Sequence, residues 1–375
     1  MDFRVNSSDL LKALSHIHGI VEVRHTLPIL SNIIITANDN LLSLSSTNLD
    51  IFCSDSLEAQ VSQNGSTSVS ASTFYEIVKR LPSGSEIHAS LSEEDSTLII
   101  KCGRSKFNLT TISPDDFPKI SHDDLNINFV LSVTELKRMI DKTKFAISNE
   151  ETRYYLNGVF LHQTQKNSID ILRAVATDGH RLAQYDIPLP QGAKDINGVI
   201  IPKKMIQELR RVLDDATGDI SIELNENKIK FSFNRMQIIS KVIDGTFPDY
   251  TKVIPQSNDK AITTDNTELK KAIDRVSAVA INEETKSKAI KLVINTNKIS
   301  LSVDSTSRGS AIEEIDLDYD KEKVEIGFNS RYLIDICNEI DGEKINLKFL
   351  DSTSPAIILD ETDENLFFVL MPMRI

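Results

Sequence analysis

The chain has 375 residues, 40% of them apolar and 26% charged, a balance that builds globular cores and excludes an intrinsically disordered chain. No run of about 18 apolar residues occurs, which excludes a helical membrane span, and the opening Met1-Asp2-Phe3-Arg4-Val5 lacks the pattern of a secretory signal. The net charge of −13 argues against gripping nucleic acid by wholesale counterion release, yet it leaves room for basic residues gathered on one surface.

Read along the chain, one pattern recurs three times. A helix is predicted over 8–17, strands at 29–35, 41–45 and 51–61, a helix at 72–81 that Pro82-Ser83-Gly84 stops, and strands at 86–91, 97–102 and 106–111. The middle third repeats the order: helix 133–145, strands near 156–162, 169–176 and 181–187, helix 203–213, strands near 219–224, 228–233 and 236–243. The last third follows with helix 267–278, strands near 289–294, 298–303 and 310–317, helix 329–340, and strands near 344–350, 355–359 and 366–371. Leu11, Leu136 and Leu269 mark equivalent places in the first helices, and Phe74, Met205 and Tyr332 in the second, at steps of about 130 residues.

One helix followed by three strands is an α+β order. Three domains are expected, over 1–122, 123–256 and 257–375, each with two helices packed on antiparallel sheets. Short polar links at 121–125 and 255–260 predict domains held end to end. A chain built by triplication makes a shape, which puts assembly ahead of catalysis.

The segment Ala176-Thr177-Asp178-Gly179-His180-Arg181-Leu182 gathers an acid, a base and a cation, as an acid–base centre or metal site would. The repeat places Ser46-Thr47-Asn48-Leu49-Asp50 at the same point of the first third. That favours a strand-to-strand turn, with Asp178 bonding its own backbone and Gly179 at positive φ. His180, Arg181 and Leu182 lie beyond the turn and stay open to a recognition role. No phosphate-cradling glycine loop, G-x-S-x-G or H-E-x-x-H occurs, and no catalytic residue, cofactor or metal is expected. His16 and His18 sit two apart on one helix and so face different ways. Cys53, Cys102 and Cys337 are far apart and odd in number, which fits free buried thiols in a reducing cytoplasm.

Basic residues gather on or beside the predicted helices: Lys12, Lys79, Arg80, Lys137, Arg138, Lys203, Lys204, Arg210, Arg211, Lys270 and Lys271. If those helices share one layer, that layer is electropositive and the sheets carry the acid; a solvated helix face explains the charges equally well. Arg24, Arg153, Tyr154 and Tyr155 are candidates for phosphate and stacking contacts. The C-terminus, Phe367 to Ile375, is apolar to its end and methionine-rich. It reads either as a buried last strand or as a lip for partners.

Five segments in order carry a resemblance over the whole chain: Thr26-Leu27-Pro28-Ile29-Leu30, Arg153-Tyr154-Tyr155-Leu156-Asn157-Gly158, Ala176 to Ala183, Gly245-Thr246-Phe247-Pro248-Asp249-Tyr250, and Met371-Pro372-Met373-Arg374. Together they resemble the bacterial DNA polymerase III beta subunits, the replicative sliding clamps. The resemblance implies a non-catalytic DNA-clamp fold and a head-to-tail homodimeric ring around double-stranded DNA. Such a ring tethers the polymerase III catalytic subunit in the cytoplasm and also binds the clamp loader, other polymerases and repair proteins, without any membrane contact.

The resemblance also implies residue roles. Leu156, Thr177, Gly179, His180, Arg181, Leu182, Pro248 and Val253 would form one side of a partner-peptide cleft. Asn329, Tyr332, Pro355, Val369, Leu370, Met371, Pro372, Met373 and Arg374 would form the other. Arg24, Arg153, Tyr154, Tyr155, Lys79, Arg80, Lys137, Lys203 and Arg211 would face DNA, and Phe107 and Leu109 would meet Val279 and Ala280 at the ring seam. The chain departs from the family pattern at Lys252, where an arginine is common, and at Glu150, where a neutral residue is common. It departs also in the loop 283–289, which lacks an aromatic, and at the small Val279 and Ala280. The rival readings are a hydrolase centred on Asp178, His180 and Arg181, and an acidic β-rich adhesion protein. The absence of a signal segment and of paired cysteines opposes the latter.

Overall fold

Helix starts in this chain are written in local side-chain chemistry. In the computed structural model, which describes residues 1–22, 27–92, 96–118, 124–279, 289–305 and 309–374, the helices are α1 (Ser7–His18), α2 (Ala71–Arg80), α3 (Val133–Lys144), α4 (Lys203–Val212), α5 (Asn266–Ser277) and α6 (Ser330–Glu339). Asn6 caps α1 by accepting from Ser8 N–H at 2.8 Å, and Asp265 caps α5 by accepting from Glu268 N–H at 2.7 Å. At α3 the cap is reciprocal. Ser132 Oγ accepts from Glu135 N–H, and the Glu135 carboxylate accepts from Ser132 N–H, both at 3.2 Å.

The buried stripes correct the expected alignment of the repeats. α1 buries Ser7, Leu10, Ala13, Leu14 and Ile17; α5 buries Asn266, Leu269, Ala272, Ile273 and Val276; Val133, Leu136, Met139, Ile140 and Thr143 are buried at the same intervals in α3. Leu10, not Leu11, is therefore the counterpart of Leu136 and Leu269. Leu11 falls between the buried positions of α1 and is only half-buried. The second helices show the same one-residue offset. Phe74, Ile206 and Leu333 each keep 1% of their surface exposed, while Tyr332 lies beside the stripe and stays half-buried. Met205 is buried but precedes the equivalent position.

The described chain divides into two compact units, one of Met1–Lys137, Pro190–Asp195 and Lys204–Val242, the other of Arg138–Leu189, Ile196–Lys203 and Ile243–Ile375. The first holds a thirteen-stranded sheet, in which Met236–Lys241 pairs Ile51–Glu58 with Gln237 opposite Ser54. The second holds an eight-stranded and a four-stranded sheet. In the larger one Leu366–Leu370 pairs Arg181–Pro188, with Arg181 opposite Leu370. Every pairing among the described strands is antiparallel, as the element order predicted.

Three local differences have simple causes. Residues 28–31 form a 3-10 turn (Pro28–Ser31), because Pro28 at its start fixes φ and lacks an N–H, so the strand begins only at Asn32. The strand expected over 51–61 breaks at Ala59, whose N–H donates to Asn40 O at 3.0 Å. Its remainder, Gln60–Gln63, pairs with Asp2–Asn6 instead. Gly65–Ser70 is a strand built almost wholly of serine, threonine and glycine, a composition that carries no apolar alternation to reveal it.

Candidate functional site

Within the second unit, the turn between Ile169–Thr177 and Arg181–Pro188 is made by its own side chains. Thr177 Oγ1 accepts from Gly179 N–H at 3.1 Å and donates to Arg181 O at 2.7 Å. Asp178 Oδ1 accepts from the N–H groups of His180 (2.9 Å) and Arg181 (3.0 Å). In the first unit Thr47 and Asn48 make the same four bonds, with Leu49 at φ +78° where Gly179 has +87°. Asp178 is thus a turn-builder, and its second oxygen accepts from Arg181 Nε at 3.1 Å. No carboxylate orients the His180 imidazole among the described residues, so the hydrolase arrangement is not formed.

Arg181 is enclosed. Its Nη1 donates to Asp335 at 2.6 Å and its Nη2 to Phe145 O at 2.8 Å. Its guanidinium centre lies 4.3 Å from the Tyr332 ring centroid and 5.0 Å from that of Phe145. His180 is exposed and stacks on the other side of the site at 6.3 Å from Tyr332. Asn329 caps α6 by accepting from Arg331 N–H at 3.0 Å. The tail is sewn to this turn, with Met371 N–H donating to His180 O and Met373 N–H to Gly327 O, both at 2.8 Å.

Beneath lies an apolar floor of Leu156, Val175, Leu182, Ile200, Phe247, Tyr250 and Val369. Phe247 stacks on Phe160 at 4.7 Å with planes 3° apart. Leu156, Leu182, Val369 and Leu370 keep 3% or less of their surface exposed, so they support the site from below instead of lining it. At the surface are His180, Pro248, Val253 (46% exposed) and Met371 (36%), with Tyr332, Pro372 and Met373 half-buried. Thr177 is spent on its turn. Pro355 is half-buried and its carbonyl accepts from Asn258 at 3.0 Å. Arg374 is exposed, and Ile375 lies outside the described residues.

The floor rests on a buried polar network. Arg173 pairs with Asp186 at 2.7 and 2.9 Å and donates to Tyr250 Oη at 3.3 Å. His162 Nδ1 lies 3.1 Å from Gln163 O, so that nitrogen carries the proton and Nε2 accepts from the Tyr250 hydroxyl at 2.9 Å. Burial holds the His162 pKa below its ordinary 6.5.

The expected basic contacts are largely engaged inside the protein. In the first unit Arg80 pairs with Glu76, Lys137 with Asp214 at 2.9 Å, and Arg211 with Glu208 at 2.8 Å and His16 O at 2.9 Å. Hydrogen bonds from Lys137 and Arg210 pull the Asp214 pKa down to about 2. Lys79 is exposed and lies 5.6 Å from the Tyr75 ring centroid. In the second unit Arg153 pairs with Glu150 at 2.7 Å and donates to Asp178 O at 3.0 Å, while Lys203 bonds Asn149. Tyr154 is 52% exposed, with Tyr155 edge-on to it at 5.8 Å. Several of these cations therefore sit beside acids of the same chain, while Lys79 lies over Tyr75 and Lys203 bonds an amide. Arg24 lies outside the described residues.

Each unit also presents a sheet edge. Ser105–Ile112, with Phe107 half-buried and Leu109 buried, pairs on its second side only through Thr111 and Ile112. Among the described residues Gly309–Asp316 pairs only with Lys298–Ser305, and it shows Ile312 at 70% exposure. Val279 is half-buried just past α5, and Ala280 lies outside the described residues. The sequence reading missed Ile312, Phe145 and Asp335. Only the i,i+3 spacing of Tyr332 and Asp335 offered a signal.

Residues 1–121, 130–249 and 251–374 match, in turn, the N-terminal, central and C-terminal domains of the DNA polymerase III beta subunit. The beta sliding clamp of Caulobacter vibrioides is 44% identical over 375 residues, and that of Escherichia coli 34% over 376, each match covering 100% of both chains. Among solved structures, the sliding clamp of Caulobacter crescentus aligns at TM-score 0.94 and 44% identity. A clamp from Bartonella birtlesii bound to griselimycin aligns at TM-score 0.96 and 40% identity, and both alignments cover 100% of each chain. The chain belongs to the DNA polymerase III beta subunit family, the bacterial sliding clamps, non-catalytic processivity subunits of the replicative polymerase.

Proposed function

We propose that two copies of this chain, each of three domains over 1–122, 123–256 and 257–375, close head to tail into a cytoplasmic ring around duplex DNA. Two open edges support the closure. The strand Ser105–Ile112 pairs on its second side through Thr111 and Ile112, and among the described residues the strand Gly309–Asp316 pairs with Lys298–Ser305 alone, so unpaired backbone groups meet if the edges join. The ring holds the polymerase near the primer end by raising its effective concentration. Lys79, Tyr154 and Tyr155 are the contacts best placed to reach DNA, because they are not occupied by acidic partners.

The observation that carries the partner reading is the backbone bond from Met371 to His180. It fixes an apolar tail beside a turn whose His180, Arg181 and Tyr332 are half-buried or exposed over an apolar floor. Such a site accepts the apolar side chains of a short extended peptide. The polymerase III catalytic subunit, the clamp loader, other polymerases and repair proteins take turns there. Sedimentation of the purified chain across a dilution series tests the ring: a dimer that persists on dilution is expected, and a monomer at all concentrations refutes it.

A further inference from the structure

We propose that Asp335 is a positioning residue of the peptide cleft: it holds the Arg181 guanidinium flat against Tyr332 and so fixes the cleft's aromatic wall before a partner arrives. The inference rests on the cleft reading above and assigns it a residue that lies outside the lining.

Tyr332 and Asp335 are three apart on α6, so they project from one face. That face offers a guanidinium two complementary surfaces at once, an aromatic plane for its own plane and a carboxylate for its edge. Arg181 uses both, with Nη1 at 2.6 Å from Asp335 and its centre 4.3 Å from the Tyr332 ring. Phe145 adds a second ring, its centroid 5.0 Å from the guanidinium, and its carbonyl accepts from Nη2 at 2.8 Å. Asp178 takes Nε at 3.1 Å. All three nitrogens of Arg181 are thus held by the chain itself, and its side chain is 10% exposed.

This occupancy decides between two roles for Arg181. A guanidinium meant to read a ligand carboxylate would keep its bidentate edge open. Here Asp178 and the Phe145 carbonyl take the Nε and Nη2 edge and Asp335 takes Nη1, so Arg181 acts on the ligand through Tyr332, whose ring it fixes. Tyr332 lies beside the buried stripe of α6 and is half-buried; the Arg181 guanidinium packs over its ring. A wall already ordered in the free protein spares the bound state the cost of immobilising rotamer-rich side chains. Asp335 is 28% exposed and does not need to touch the ligand for this role.

The test uses the full chain and griselimycin as probe, titrated by calorimetry, with thermal unfolding and dimer sedimentation run in parallel. Asp335→Asn keeps the side chain's shape and removes its charge, and it is expected to weaken binding about tenfold with unchanged dimer formation. Asp335→Glu restores the carboxylate to a partly open position and is expected to recover most of the affinity. Val253→Asp, which places charge on the exposed lining, reports on the cleft itself. If Val253→Asp weakens binding while Asp335→Asn binds like the parent, the positioning role is wrong and the cleft reading stands. If Asp335→Asn and Asp335→Glu lose affinity alike and in step with thermal stability, Asp335 is merely structural and the proposal is overturned. If the parent chain does not bind, or Val253→Asp leaves binding unchanged, the cleft reading fails and takes this inference with it.

Discussion

Gly179 leaves room for Arg153: a Cβ built on Gly179 would stand 2.5 Å from a guanidinium nitrogen of Arg153, whose Nη2 donates to the neighbouring Asp178 carbonyl at 3.0 Å. The glycine suits its φ of +87° and leaves this space for Arg153. Leu49, at φ +78° in the matching turn, shows that the backbone conformation alone tolerates a side chain. Gly179→Ala is therefore expected to cost about 1–2 kcal/mol from the left-handed conformation and also to expel Arg153 from the turn. Thermal unfolding measures the first effect. Griselimycin affinity lowered beyond that of Leu49→Ala, the control in the other turn, measures the second.

Truncation after Leu370 removes the bond from Met371 to His180 and that from Met373 to Gly327, while the strand pairing of Leu366–Leu370 survives. Polymerase and clamp-loader binding should be abolished and the dimer kept, as surface-immobilised partner and sedimentation would show. Unchanged partner affinity would make the tail a mere extension of the last strand.

The Arg173–Asp186 pair is buried, with Asp186 1% exposed, and removing one partner strands the other charge. Asp186→Ala is expected to cost about 3–5 kcal/mol in urea unfolding.

His162 supplies a pH dependence with a definite sign. Its folded pKa lies below 6.5 because burial penalises the imidazolium, so the unfolded chain takes up the proton first. Stability contributed by neutral His162 is complete above about 6.5 and declines as pH falls towards the lower folded value. Unfolding measured from pH 7.5 down to 5 should show this decline, and His162→Gln should flatten it.

At the proposed seam, Ile312 is 70% exposed on an unpaired edge. Ile312→Asp is expected to weaken the dimer about tenfold or more, as central apolar interface residues do, with an unchanged circular dichroism spectrum. Sedimentation reads the dimer directly.

What was legible in the sequence was chemistry acting over one helical turn or one hairpin. Asp265 and Glu268, or Thr177 and Gly179, sit within three residues of each other, so caps and turns could be read from the chain alone. The repeat alignment slipped by one at Leu10 and Leu11 because both are leucine, and only packing decides which one faces the core. The fate of the basic residues was hidden for a different reason. Lys137 meets Asp214 77 positions away, and Arg181 meets Asp335 at a separation of 154; contacts of that range leave no local trace. Of the apolar tail, Leu366–Leu370 is a paired strand, as one of its two readings had it, and Met371 and Met373 are bonded to the chain beyond it.

A closed ring holds DNA by topology, without gripping it. The most direct measurement compares retention of the labelled chain, after loading by its clamp loader, on nicked circular DNA and on the same DNA cut once with a restriction enzyme. Retention on the circle with prompt loss after linearisation is the predicted result. Equal loss from both forms would contradict it.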